Sequence, residues 1–98
     1  TLDPHAGHAP AGRGPAVVLT PKPYTAKSWL ALFLPVTRQV KGYPFEVLLA
    51  EGLPVTGAII SDQLRSLDWK ARRATRICPI PQETIDEVLG KVQALLAP

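Results

Sequence analysis

A chain of 98 residues, 46% of them hydrophobic and 19% charged, has the composition of one ordinary globular domain and not of a disordered segment or a multidomain enzyme. No apolar run nears the ~18 residues that a bilayer span needs. The net charge of +3 hides an asymmetry: positions 13–41 hold five basic residues and no acid, and 65–76 hold five against Asp68 alone. Positive potential gathered this way suits a polyanion, although a merely soluble basic surface has the same look. A chain this short buries only about two-thirds of the surface it exposes when unfolded, so its core is thin and a homodimer is one way to bury more.

In chain order, the prolines and glycines of residues 1–15 predict a loop, with His5 and His8 inside it. Residues 16–19 predict a short apolar strand stopped by Pro21 and Pro23, and 24–28 a connection. The apolar run 29–34 predicts a longer strand, buried on both faces and ended by Pro35. Residues 37–44 read as a polar, basic loop turning at Gly42. Strands are expected over 45–49 and 57–60, with a turn at Glu51-Gly52 between them. Residues 65–69 are ambiguous between strand and turn, and 72–80 read as a strand ending at Pro79. In the last segment Ile85, Val88, Leu89, Val92, Leu95 and Leu96 recur at spacings of three and four, which makes one apolar helical face. Pro81 suits the first helical position, and Gly90 suggests close packing. Short strands with one closing helix point to a mainly β (α+β) fold, a strongly curved sheet or small barrel.

Common enzyme signatures are missing from the sequence, including a phosphate-cradling glycine loop and Gly-x-Ser-x-Gly. His5 and His8 lack the companion ligands of a metal site, so no metal and no cofactor is expected. No basic-then-apolar leader is visible. One cysteine, Cys78, cannot close an internal disulfide, fits a reducing cytoplasm, and reads as a small buried hydrophobe.

Three segments carry a joint signal: Arg13-Gly14-Pro15-Ala16-Val17-Val18-Leu19-Thr20-Pro21; Pro35-Val36-Thr37-Arg38-Gln39-Val40-Lys41-Gly42-Tyr43-Pro44-Phe45-Glu46-Val47; and Ser61-Asp62-Gln63-Leu64-Arg65-Ser66-Leu67-Asp68-Trp69-Lys70-Ala71-Arg72. In this order and spacing they resemble the MazF/PemK family of bacterial toxins, over nearly the whole chain. Residues 41–47 are the most specific part. The resemblance implies a compact SH3-like β-barrel with short helices that works as a homodimer in the bacterial cytoplasm. It implies a sequence-specific, metal-independent endoribonuclease for single-stranded RNA, held in check by a cognate MazE-like antitoxin. The chemistry so implied is attack of a 2′-hydroxyl on the adjacent phosphate, giving a cyclic phosphate and a free 5′-hydroxyl.

The family's catalytic threonine falls on Thr37. Its catalytic arginine stands immediately before the proline of the first segment, where this chain has Gly14; Arg13 is one residue earlier. In an extended strand that shift turns a side chain to the opposite face, so the chain reads as an attenuated form unless the backbone bulges. The family's first strand, with its tryptophan, is expected upstream of Leu2. Arg38, Lys41, Arg65 and Arg72 are candidates for phosphates. Tyr43 either stacks a base or packs at the turn, and Gln39 either reads a base edge or is a solvated amide. Trp29 and Trp69 are expected in the core or an interface, and Asp62 and Gln63 as structural polar groups. Two further readings remain: a binding module that has lost catalysis with the arginine, and a gyrase poison of the same fold.

Overall fold

The computed structural model describes residues 5–9, 14–20, 27, 30–68 and 75–97. Arg13, Trp29, Trp69, Arg72 and all but Lys27 of the 24–28 connection lie outside them. The elements are β1 (His5–Ala9), β2 (Gly14–Val18), β3 (Leu30–Thr37), β4 (Glu46–Leu48), β5 (Ala58–Ile60), β6 (Arg65–Asp68), β7 (Thr75–Pro79) and a helix, α1 (Gln82–Leu96). All strand pairs are antiparallel, in the order β4-β5-β3-β2-β1-β7, with β6 also on β3.

Strand β3 grows from the apolar run, but it does not stop at Pro35. On one edge it pairs with β2, with Ala16 opposite Pro35. On the other, pairing with β6 ends at Phe33 and pairing with β5 begins at Val36. Pro35 stands at this step between two neighbours, where a residue without an N–H is tolerated. The strand is also not buried on both faces. Ala31 and Leu34 are fully buried, whereas Leu30 and Leu32 are each 39% exposed. Ala31 and Leu34 are three residues apart, so strict alternation does not carry both to the core; the inward face changes between them, where the strand passes from its β6 neighbour toward β5, and Leu30 and Leu32 are left on the outer side.

The expected loop over 1–15 is corrected at two places. Residues 5–9 form β1, an inner strand between β2 and β7, and β2 already begins at Gly14. Low strand propensity is overridden because both edges of β1 find partners, which supplies its main-chain hydrogen bonds. The register shifts between Ala6 and Gly7, as a bulge does. His5 and His8 thus lie on a paired strand. Residues 65–68, ambiguous in the sequence, are strand for the same reason: they pair with 30–33.

A flat sheet of this order would hold β4 and β7 roughly 24 Å apart. Yet Val47 of β4 and Cys78 of β7 join one core cluster with Val17, Leu34, Ile59 and Ile80, so the sheet curls around it. Helix α1 closes the open side with Ile85, Val88 and Val92. Pro81 precedes the helix instead of opening it; its φ of −55° is followed by an extended ψ of 140°, and its carbonyl accepts the Ile85 N–H. Leu95 and Leu96, expected on the buried face, are exposed, because the helix runs past the edge of the core there. No helix among the described residues is long and apolar enough to cross a membrane.

Gly90 does not mark close packing. It is exposed, and a Cβ there meets no atom within 4 Å. Gly90→Ala is therefore expected to raise stability by about 1 kcal/mol, read as a higher urea midpoint with an unchanged slope.

Candidate nucleic-acid interface

Three strands meet where β3 ends. Thr37 pairs with Ala58 of β5. Just before Ala58, the Gly57 backbone presses on Thr37: a Cβ at Gly57 would stand 2.0 Å from the Thr37 carbonyl oxygen and 2.9 Å from its carbon. The φ of +118° at Gly57 also belongs to glycine. On the other edge, the pairing with β2 ends at Ala16 opposite Pro35, two residues short of Thr37. Position 14, which opens β2, and Thr37, which ends β3, therefore lie toward the same end of two paired strands, although they are 23 positions apart in the chain.

Beyond Thr37 the chain leaves the sheet. The Thr37 hydroxyl Oγ1 accepts the Gln39 N–H at 3.1 Å, which turns the backbone outward and leaves the O–H free in direction. The following loop is gathered by one carboxylate. Glu46 Oε1 accepts the N–H groups of Gly42 at 2.7 Å, Lys41 at 3.1 Å and Tyr43 at 3.3 Å, and Oε2 lies 3.3 Å from the Lys41 nitrogen. Gly42, at φ +77°, provides the left-handed residue this curl needs. The rings of Tyr43 and Phe45 stack with centroids 5.2 Å apart. From the opposite side, Lys91 of α1 donates to the Pro44 carbonyl.

These groups line one cleft of about 300 Å³, whose wall includes Thr37, Gln39, Lys41, Tyr43, Glu46 and Gln63. Four sequence-derived candidates are therefore brought together. Arg38 is exposed outside the lining. Arg65 is also exposed; its guanidinium donates to Gln63 Oε1 at 3.4 Å and so lies at the rim. Asp62 is exposed, whereas Gln63 belongs to the cleft. Tyr43 is half-exposed and stacked on Phe45, so packing at the turn and an open ring coexist. Among the described residues, no group of three or more His, Cys, Asp or Glu side chains could hold a metal ion. The cleft offers one cation, Lys41, with Arg65 at its rim, a hydroxyl, amides and an aromatic ring, which together suit a phosphodiester chain bearing bases.

Sequence reasoning passed over Glu46, Gly57 and Lys91. For Gly57 a signal existed: a glycine leading straight into a short apolar strand often marks a close backbone approach. For Glu46 the signal was the alternation with Val47, which assigns the carboxylate to the face away from the core. Lys91 carried none, because its partner is a main-chain carbonyl 47 residues distant.

The model of the family "PemK-like, MazF-like toxin of type II toxin-antitoxin system" matches residues 1–96. The chain is 40% identical over 95 residues to the endoribonuclease toxin MazF of Escherichia coli K12, covering 97% of this chain and 85% of that protein. It is 34% identical over 100 residues to the Escherichia coli endoribonuclease PemK, covering 98% and 75%. A MazE–MazF crystal structure from Deinococcus radiodurans superposes with a TM-score of 0.92 at 42% identity, covering 96% of this chain and 93% of that one.

The tight approach at Gly57 has a direct consequence. Gly57→Ala should cost more than about 1 kcal/mol in denaturant titration and move the amide resonances of Thr37 and Ala58, with those of α1 unchanged.

Proposed function

The chain belongs to the PemK-like, MazF-like family of toxins of type II toxin–antitoxin systems, and on that premise we propose that it is a toxin endoribonuclease that cleaves single-stranded RNA. Relatives at 40% and 34% identity carry the name endoribonuclease. The observation that carries the reading is the cleft that unites Thr37, Gln39, Lys41 and Tyr43 at the end of β3, with position 14 toward the same end of the neighbouring strand β2.

In the proposed reaction the 2′-hydroxyl of one nucleotide attacks the neighbouring phosphorus. A P–O2′ bond forms and the P–O5′ bond breaks. The 2′ proton passes to a base, and a proton is returned to the departing 5′ oxygen. The products are a 2′,3′-cyclic phosphate and a 5′-hydroxyl. Thr37 accepts the Gln39 N–H, so its own O–H can donate to a phosphate oxygen as charge develops there. Its place at the end of a doubly paired strand keeps it still, which is worth more than flexibility for in-line attack. Lys41, Arg38 and Arg65 hold flanking phosphates, with Arg72 a further candidate. Tyr43 and Gln39 meet bases. The reaction requires no metal under this reading, because positioning and fixed charge supply the stabilisation. A cytoplasmic site of action follows from the substrate.

Position 14 decides the rate. A guanidinium there would lie toward the Thr37 end of the two paired strands and could grip the phosphorane with two bonds. Glycine supplies neither charge nor donor, so this form is an attenuated enzyme that keeps the RNA cleft. Were the strand extended through position 13, an arginine there would face the other way, so replacement by Arg13 requires a bulge or turn at Gly14-Pro15. A second reading, an RNA- or antitoxin-binding form without catalysis, is favoured by the same Gly14. The relation to MazE–MazF complexes supports a MazE-like antitoxin as partner. The open face of Leu30 and Leu32 supports a homodimer, since a second copy would cover it.

The test is cleavage of a long single-stranded RNA with chelator present. Gly14→Arg should cut at a defined short sequence roughly 100-fold faster than the parent chain. Adding Thr37→Ala should remove about the same factor. A folded Gly14→Arg protein that cuts no RNA would sink the enzymatic reading. RNA binding by the parent chain should weaken steeply with salt, with a log–log slope of about −0.7 for each phosphate contacted.

A further inference from the structure

The Glu46 carboxylate sits in the cleft but its two oxygens are turned to the protein. Oε1 takes three successive main-chain N–H groups, those of Lys41, Gly42 and Tyr43, and Oε2 shares the first of them. A loop of this kind, with consecutive N–H groups converging on one point, is an anion nest. Here the anion comes from the chain's own next strand. The Glu46 main chain adds to this hold, its N–H donating to the Tyr43 carbonyl at 3.0 Å, while Lys91 holds the Pro44 carbonyl, one residue beyond, and the Tyr43–Phe45 stack begins at the third residue.

We propose that Glu46 is the positioning residue for base recognition: by filling the nest, it sets the directions of Lys41 and Tyr43 across the cleft and so determines which RNA sequence the protein selects. The inference rests on the RNA-binding reading above and deepens it. Glu46 pairs with Ile60 at the start of β4, and Val47, next to it, is buried. The carboxylate is therefore mounted on a strand that the core holds in register, while the loop it grips carries no regular structure of its own. Base discrimination requires fixed donors and stacking planes. A loop of exposed residues with a left-handed glycine in its middle would otherwise sample many orientations of Lys41 and Tyr43. Glu46 acts on the loop and not on the substrate. A general base would need a free oxygen aimed at the 2′-hydroxyl, and here the shorter contacts all go to main-chain donors.

Three substitutions separate geometry from charge. Glu46→Gln keeps an oxygen that can accept the same three N–H groups and loses the charge. Glu46→Asp keeps the charge and withdraws it by one methylene. Glu46→Ala loses both. Each protein is offered a randomised single-stranded RNA library, and the retained sequences are compared with those of the parent chain. Gly42 amide exchange is measured in parallel. Glu46→Gln should select the parent's sequences and protect the Gly42 amide. Glu46→Ala and Glu46→Asp should lose selectivity on the order of ten- to a hundredfold, with fast Gly42 exchange and retained salt-dependent binding. Selection of the parent's sequences by Glu46→Ala overturns the proposal. So does a Glu46→Gln protein that fails while Glu46→Asp succeeds, since charge would then be what matters. A folded parent chain that selects no RNA overturns the RNA reading and the proposal with it; a selective parent with an equally selective Glu46→Ala overturns the proposal alone.

Discussion

Everything near the cleft depends on β3 being hydrogen-bonded along both edges. Its first half lies between β2 and β6, and its last two residues face β5. Its buried side chains fit one register only, so a slip of one residue would unseat the fully buried Ala31 and Leu34. The same register fixes Thr37. A slip would take its carbonyl away from the close approach of Gly57. Packing of a thin core and placement of a reactive hydroxyl are therefore one constraint, imposed through one strand.

Around that fixed point the protein builds its recognition surface from a loop that has no ladder of its own. Three main-chain donors are neutralised by Glu46, a carbonyl is neutralised by Lys91, and an aromatic pair fills the turn. The local backbone polarity is thus satisfied from within the protein. This leaves the side chains of Gln39, Lys41 and Tyr43 free for a partner. A loop held by strand β4 and helix α1 combines exposure, which recognition needs, with order, which specificity needs.

The chemical meaning of the site turns on a residue that is absent. Glycine stands at position 14, at the start of β2, where relatives of the MazF/PemK type are expected to carry arginine. Strand β2 tolerates the glycine because pairing with β1 supplies its ladder contacts. The fold and the cleft are thus built without a side chain at position 14, and the proposed catalytic and binding roles of this surface become separable by substitution there.

Much of this was legible in the residue pattern. The apolar run at 30–34, the turns at Gly42 and Gly52, the strand at 58–60 and the helix over 82–96 follow from periodicity and glycine placement. So does the grouping of Thr37, Gln39, Lys41 and Tyr43, because they lie within seven consecutive residues. What lay beyond reach was long-range. Residues 5–9 form a strand because β2 and β7 flank them, against their own propensity. Pro35 is admitted because two neighbours change over beside it. Gly90 is open because nothing packs there. Glu46 gathers Lys41 to Tyr43 and Gly57 presses on the end of β3 through contacts whose partners the local pattern does not name. The sequence by itself determined which segments could be strand, loop or helix and which residues could touch RNA, because those follow from side-chain chemistry and short-range periodicity. Only the tertiary structure decided which edges pair and which groups share one cleft, because the energy of a hydrogen-bonded ladder or a close backbone approach exists only once two distant segments have met.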